Sequence, residues 1–203
     1  MPEWLPSEAT ALAEPLACVC SCLFDPPVVS AGDDVLVVGP GPVGLLAAQA
    51  ARAAGGAVHV RGTPRDARRL ALARELGLAS SGGDEPRHTV SQGGFAVVAE
   101  CSGSEAGVAF GLERAARGGR FVQIGLGGRP VAVPLDEVCY REPTITSGNA
   151  STPASWRRAL ALVEARAVAL EPLVSEVLPL PQWERAFART RAGEAVKVVL
   201  DPR

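Results

Sequence analysis

Apolar residues in this chain fall into short runs, separated by segments of helical period and punctuated by glycine. Val35-Leu-Val-Val38, Ala57–Arg61, Phe95–Cys101 and Arg120–Ile124 are short and rich in valine, as buried strands are. Between them lie Pro42–Ala54, Ala67–Leu76 and Glu105–Arg117. Their apolar positions recur at helical spacing, and Gly55-Gly56, Gly77 and Gly118-Gly119 stop them. Asp66 is placed to cap the second of these helices. Upstream, residues 7–24 read as one helix, with Ser7 at its N-cap, Glu8 in its first turn and Pro26-Pro27 beyond its end. The stretch from Leu78 to Gly94 has no clear period and reads as a short strand with irregular chain. Val131–Val133 is a short extended piece, and Thr144–Thr146 is a strand. Thr152-Pro153 opens a helix running to about Ala165. Strand 173–180, helix 182–191 and strand 195–200 form a tail. Strands alternating with helices specify an α/β fold with a doubly wound parallel sheet. The expected divisions are 1–30 as a helical junction, 31–165 as the main domain and 166–203 as the tail.

The first strand runs into Gly39-Pro-Gly-Pro-Val-Gly44, and a helix follows at once. In that context a G-x-G-x-x-G motif is the fingerprint of a dinucleotide-binding turn. Gly39 permits the turn, Gly41 lets the backbone approach a pyrophosphate, and Gly44 lets helix and sheet pack closely. The helix N-terminus offers unpaired N–H groups to the phosphates, and Pro42 loses nothing there by having no N–H. Gly39, Gly41, Pro42, Val43 and Gly44 are therefore candidate cofactor contacts. Glycines serving packing alone are the plainer alternative.

Composition bounds the rest. A chain of 203 residues that is 47% hydrophobic can build a sizeable core, and a net charge of −2 shows no nucleic-acid footprint. No apolar run is expected to span a bilayer, and the acidic start argues against a secretory signal. Five cysteines in such a chain read as reduced thiols, which implies a cytoplasmic protein.

The pieces Ala13-Glu-Pro-Leu-Ala17, Gly39–Gly44, Arg69–Gly77, Glu100-Cys-Ser-Gly103, Gly118–Gly125, Val133-Pro-Leu-Asp136, Leu173-Val174, Trp183–Phe187 and Gly193–Val198 occur in one order along nearly the whole chain. In this the chain resembles the zinc-type medium-chain dehydrogenases, in the branch of sorbitol and threonine dehydrogenases. The resemblance implies a Rossmann domain. It also implies that Cys101, Ser102, Gly125 and Leu126 end strands at the cofactor crevice, with Ser147 and Gly148 near the nicotinamide. Members of the family carry a GroES-like catalytic domain before the Glu-Pro segment. Met1 falls at that junction, so the expectation is a chain without it. The stretch between Gly77 and Phe95 looks shortened, and Ala96 stands where the family usually has Asp.

In members that prefer NAD, the second strand ends in a carboxylate that holds the ribose 2′-OH. Here that place falls on Gly62, and Arg65, Arg68 and Arg69 follow. A missing carboxylate beside arginines predicts NADP rather than NAD, with Arg65, in the loop, on the 2′-phosphate; the resemblance implies Arg69 near the adenosine ribose. An exposed basic helix start with no ligand is the alternative.

A catalytic zinc needs three protein ligands. Glu14 matches the family's glutamate near the metal, but one carboxylate makes no site. Cys18, Cys20 and Cys22 read as small buried residues, with a metal or redox role as the alternative. His59 and His88 are isolated. The expectation is no zinc and no catalytic residue in this chain. A short-chain dehydrogenase needs Tyr and Lys four residues apart, which Tyr140 and Lys197 are not. A GxSxG hydrolase elbow is also lacking. The reading is an NAD(P)(H)-binding, alcohol or polyol dehydrogenase-like chain without its own zinc domain. The alternatives are an active enzyme completed by another chain or by upstream residues, and a cofactor-sensing or interaction module. The partners expected are a small-molecule dinucleotide and either a second copy, giving a homodimer, or a partner chain. No nucleic acid and no membrane are expected.

Overall fold

The computed structural model describes residues 2–83 and 93–203. Its centre is a six-stranded parallel sheet in the order β3-β2-β1-β4-β5-β6. The strands are β1 (Asp34–Val38), β2 (Ala57–Arg61), β3 (Ala79–Ser81), β4 (Phe95–Glu100), β5 (Ala115–Gln123) and β6 (Thr144–Ser147). The doubly wound sheet expected from the alternation is present. Val35, Leu36 and Val37 are wholly buried. A strand apolar on both faces needs helices on both sides, which is why its sequence runs without alternation.

One face of the sheet carries the larger core. Val35, Val37, Val60 and Val97 pack there with α3 (Pro42–Ala53), α4 (Ala67–Glu75) and α2 (Ala13–Phe24), and α7 (Pro153–Glu164) packs beside α2. On the other face Leu36, Val38, Val98 and Phe121 meet Val108 and Leu112 of α5 (Glu105–Arg114). The strand order reverses between β1 and β4, so the crevice at their carboxyl ends is the topological switch point, where such folds bind ligands. Beyond α7 the chain forms a separate two-stranded parallel sheet, β7 (Val174–Pro179) with β8 (Lys197–Asp201), joined by α8 (Trp183–Arg191).

Several expected boundaries are corrected. Residues 7–24 are not one helix: α1 (Ser7–Thr10) stops, and α2 starts at Ala13. Pro15 explains the break, because in a continuous helix its ring would clash with the carbonyl of Ala11. Ser7 is the first helical residue, and Pro6 occupies the N-cap. The 7–24 segment does reach the length and mean hydropathy (1.2) of a membrane span, contrary to expectation. In the fold Leu12, Leu16, Ala17, Val19, Cys20 and Leu23 are wholly buried in the core.

The helix expected to reach Arg117 ends at Arg114. Ala115 is extended and pairs with Phe95, so β5 begins five residues earlier than the expected Arg120. Ala-Ala-Arg has good helical propensity, but ladder pairing and full burial of Ala115 override it. Asp66 does not cap α4 with its side chain; its carboxylate accepts from the Thr63 amide and hydroxyl instead. A helix that periodicity missed, α6 (Leu135–Arg141), follows Val131–Val133; its first turn carries Asp136 and Glu137. The last strand is Lys197–Asp201 rather than 195–200.

Candidate cofactor site

The glycine turn is shaped by contacts as well as by conformation. Gly39 has φ +100°, and a Cβ there would lie 2.8 Å from the Ser102 amide nitrogen. A Cβ on Gly44 would overlap the Gly39 carbonyl oxygen. Gly41 is the opposite case: a Cβ there would meet nothing within 4 Å. Two glycines thus close the turn, and the middle one leaves its backbone open to a ligand. Gly41 is the N-cap of α3 with no side-chain cap, Pro42 holds the first helical position, and half-buried Val43 packs on the core. The first-turn N–H groups are therefore free for an anion, and the helix dipole favours one.

Beside the turn is a cavity of about 270 Å³. Gly39, Gly62 and Ser102, all singled out from the sequence, line it. Arg61, Asp66 and Phe110 line it as well; the sequence had marked Asp66 only as a helix cap and had not marked the other two. The Arg61 guanidinium lies 4.8 Å from the centre of the Phe110 ring, and that of Arg114 lies 5.0 Å from it. Arg61 could have been suspected from its place next to Gly62. Phe110 could not, since nothing in α5 announces which side chain leans over β2.

The structure separates the two candidate arginines. Arg65 is exposed in a single 3-10 turn, Pro64–Asp66, where a loop was expected, and stands outside the cavity lining. Arg69 pairs with Asp66 at 3.4 Å and donates to the Ala195 carbonyl at 3.2 Å, while Arg68 donates to the Glu194 carbonyl at 3.1 Å. Both of these lean toward the tail. Gly125 and Leu126 line a neighbouring cavity of about 330 Å³, and Leu126 is 76% exposed. Ser147 ends β6 and is exposed. Gly148 lies against α2, where a Cβ would come 2.8 Å from the Cys22 sulfur. Pro42 lines a third cavity, of about 470 Å³, together with Lys197 of β8. That brings the chain's single lysine to the glycine-turn side of the molecule, a placement invisible from position 197 alone.

The donor set for zinc does not fit a site. Among the described residues, no three His, Cys, Asp or Glu side chains come together as metal ligands would. His88 lies outside the described residues. The Glu14 carboxylate accepts from the Cys18 thiol at 3.0 Å. Burial, reinforced by that carboxylate, pushes the Cys18 thiol up to about 11. Burial pushes Cys20 up to about 12 and also raises Cys22. Cys101 is raised well above the ordinary thiol range by burial, with the Glu100 carboxylate adding to it. Zinc and nucleophilic chemistry need thiolates, and these four environments favour the thiol.

The tail keeps apolar groups in view. Val177, Leu180, Trp183 and Phe187 are 42–53% exposed, and Trp183 meets Phe187 edge-on at 6.0 Å. Ile145 on the edge strand β6 is 49% exposed, and Leu135 and Tyr140 of α6 are exposed at 68% and 70%.

Residues 42–165, more than half of the chain, match the zinc-binding dehydrogenase family. The whole chain aligns with 61% of the sorbitol dehydrogenase of Halalkalibacterium halodurans at 31% identity. A further alignment covers 85% of the chain and 52% of the L-threonine 3-dehydrogenase of Bacillus velezensis, at 36% identity. Among solved structures, a zinc-binding dehydrogenase of Sinorhizobium meliloti 1021 bound to NADP superposes with a TM-score of 0.83 at 30% identity, over 100% of this chain and 61% of that one. The alcohol dehydrogenase of Thermus sp. ATN1 gives 0.85 at 27% identity, over 99% and 62%. The chain thus spans little more than half of each relative's length. With its glycine turn, its strand order and its sequence all in agreement, the chain belongs to the zinc-binding dehydrogenase family and comprises that family's NAD(P)-binding domain.

Proposed function

We propose that this chain binds NADP(H) in preference to NAD(H), as the cofactor-holding part of an alcohol or polyol oxidoreductase. The observation that carries the reading is the end of β2. Gly62 stands at the position where a 2′-OH-binding carboxylate would be, and the nearest carboxylate, Asp66, is held by Thr63 and Arg69. Arg61 faces the cavity and Arg65 stands exposed beside it, so the mouth carries cations for a 2′-phosphate. Gly39, Gly41 and the α3 N-terminus would take the pyrophosphate, Ser102 the adenosine side, and Gly125, Leu126, Ser147 and Gly148 the nicotinamide side. The cofactor supplies hydride transfer; this chain binds and orients it. The relatives named for sorbitol and threonine support a hydroxyl-bearing carbon as the hydride partner.

On this reading the described residues hold no catalytic zinc, because Glu14 has no ligand set among them. A second chain, or a further stretch of the same protein, would supply one. The exposed β6 edge and the apolar tail face support self-association, and five free cysteines suit a cytoplasmic setting. Titration calorimetry with NADPH and NADH tests the cofactor preference. NADPH should bind more tightly. Arg65→Ala should weaken NADPH by about 1.5–3 kcal/mol, as for a hydrogen bond to a charged group, and leave NADH unchanged. Equal affinities in the unmodified protein overturn the preference.

A further inference from the structure

Glu100 is the last residue of β4, and its exposure is 0%. A buried carboxylate is costly unless its lone pairs are met. Here one oxygen, Oε1, accepts from the Ser102 amide at 2.8 Å and from the Ser102 hydroxyl. The other, Oε2, accepts from the Gly103 amide at 2.9 Å and from the Gln123 side-chain amide at 2.7 Å. The same Gln123 nitrogen also donates to the Gly125 carbonyl at 2.8 Å. One side chain therefore ties the turn after β4 to the turn after β5. The turn after β1 rests on the same group at one remove, since Gly39 closes against the Ser102 amide. The space around the carboxylate is kept by glycine. A Cβ on Gly107 would lie 2.8 Å from Oε1, and one on Gly125 would lie 2.9 Å from Oε2.

An apolar residue there would strand the Ser102 and Gly103 amides and the Gln123 side-chain amide, so the group is held to this place by its donors. A carboxylate with four directed donors specifies geometry, and the geometry it specifies is that of three turns at the switch point. We propose that Glu100 is a positioning residue for the cofactor. Without touching the dinucleotide, it sets Ser102 on the adenosine side and Gly125 on the nicotinamide side at the spacing a bound dinucleotide needs. This rests on the cofactor reading above.

Glu100→Gln tests it with little change in volume. The amide nitrogen must face donors whichever way it is turned. At the Oε2 position it opposes the Gly103 N–H; at the Oε1 position it opposes the Ser102 N–H. Reorienting Gln123 to accept from it would bring the Gln123 oxygen against the Gly125 carbonyl. NADPH affinity of the folded variant, followed by nicotinamide fluorescence, should fall at least about tenfold, and the melting temperature without ligand should fall as well, because a buried N–H then faces a buried N–H. Gln123→Leu removes a single donor and should cost a smaller, measurable factor; it decides the matter if Glu100→Gln fails to fold. Lower melting temperatures with unchanged NADPH affinity of the folded variants would make Glu100 merely structural and overturn the proposal. Unmodified protein that binds neither NADPH nor NADH would overturn the cofactor reading and this proposal together. Binding that persists undiminished in the variants overturns the proposal alone.

Discussion

Replacing Gln49 by Leu should destabilise the protein by about 2 kcal/mol, and the structure says how. Gln49 lies in the middle of α3 with 1% exposure. Its amide nitrogen donates to the Ala169 carbonyl at 3.2 Å, and its oxygen accepts from the Ala169 amide at 2.8 Å. This two-point clamp joins α3 to the segment after α7 across 120 residues of sequence. Val168 and Leu170, on either side of Ala169, are 1% exposed, so the clamp also holds the register of two core residues. Each intramolecular hydrogen bond contributes about 0.5–1.5 kcal/mol net, and stranding a buried partner costs about 1–3 kcal/mol. Ala169 itself is exposed, so its peptide can recover water when Gln49 is lost, which keeps the total toward the lower end. Leu preserves volume and adds apolar contact, so the measured loss reports the hydrogen bonds. With a urea m-value of about 2 kcal/mol per molar, the unfolding midpoint should fall by about 1 M at unchanged m. Hydrogen exchange of the Ala169 amide should quicken in parallel. A midpoint within about 0.2 M of the unmodified protein at that m-value would refute the clamp as a source of stability.

Two further outcomes are expected. The chain should self-associate through the β6 edge: light scattering should give a dimer at micromolar concentration, and Ile145→Lys should give a monomer, because a charge on an edge strand blocks pairing; a monomeric unmodified protein refutes this. Stability should fall on the alkaline side. Cys18 and Cys20 hold raised thiol values, about 11 and about 12 against an ordinary 9.0, so the folded state keeps protons that the unfolded chain releases. The contribution is complete below pH 9 and is lost as pH rises toward 11–12. Cys22 and Cys101, also raised by burial, act in the same direction, and the chain has only one Tyr and one Lys to add to them. Urea midpoints should drop between pH 8.5 and 10.5 and drop less in Cys20→Ala; an identical fall in that variant refutes the assignment.

The doubly wound sheet and the phosphate-binding turn were legible in the sequence because both are local. A strand, three glycines at fixed spacing and a helix follow one another within some twenty residues, and each glycine's duty follows from covalent geometry. Valine-rich runs without alternation already say that both faces of the sheet are covered. The reading failed in part where distant partners compete with local preference. Ala115–Arg117 has helical propensity, yet pairing with Phe95 draws it into β5. Residues 7–24 read as one helix, yet the chain breaks it between Thr10 and Ala13. Glu100 reads as one letter of a strand end, and only the folding of β5 beside β4 brings Gln123 to its second oxygen. Periodicity and spacing report what a residue can do with its near neighbours. The donors that meet a buried carboxylate, the ring that leans over an arginine and the edge strand left open are decided by which elements the tertiary fold brings together.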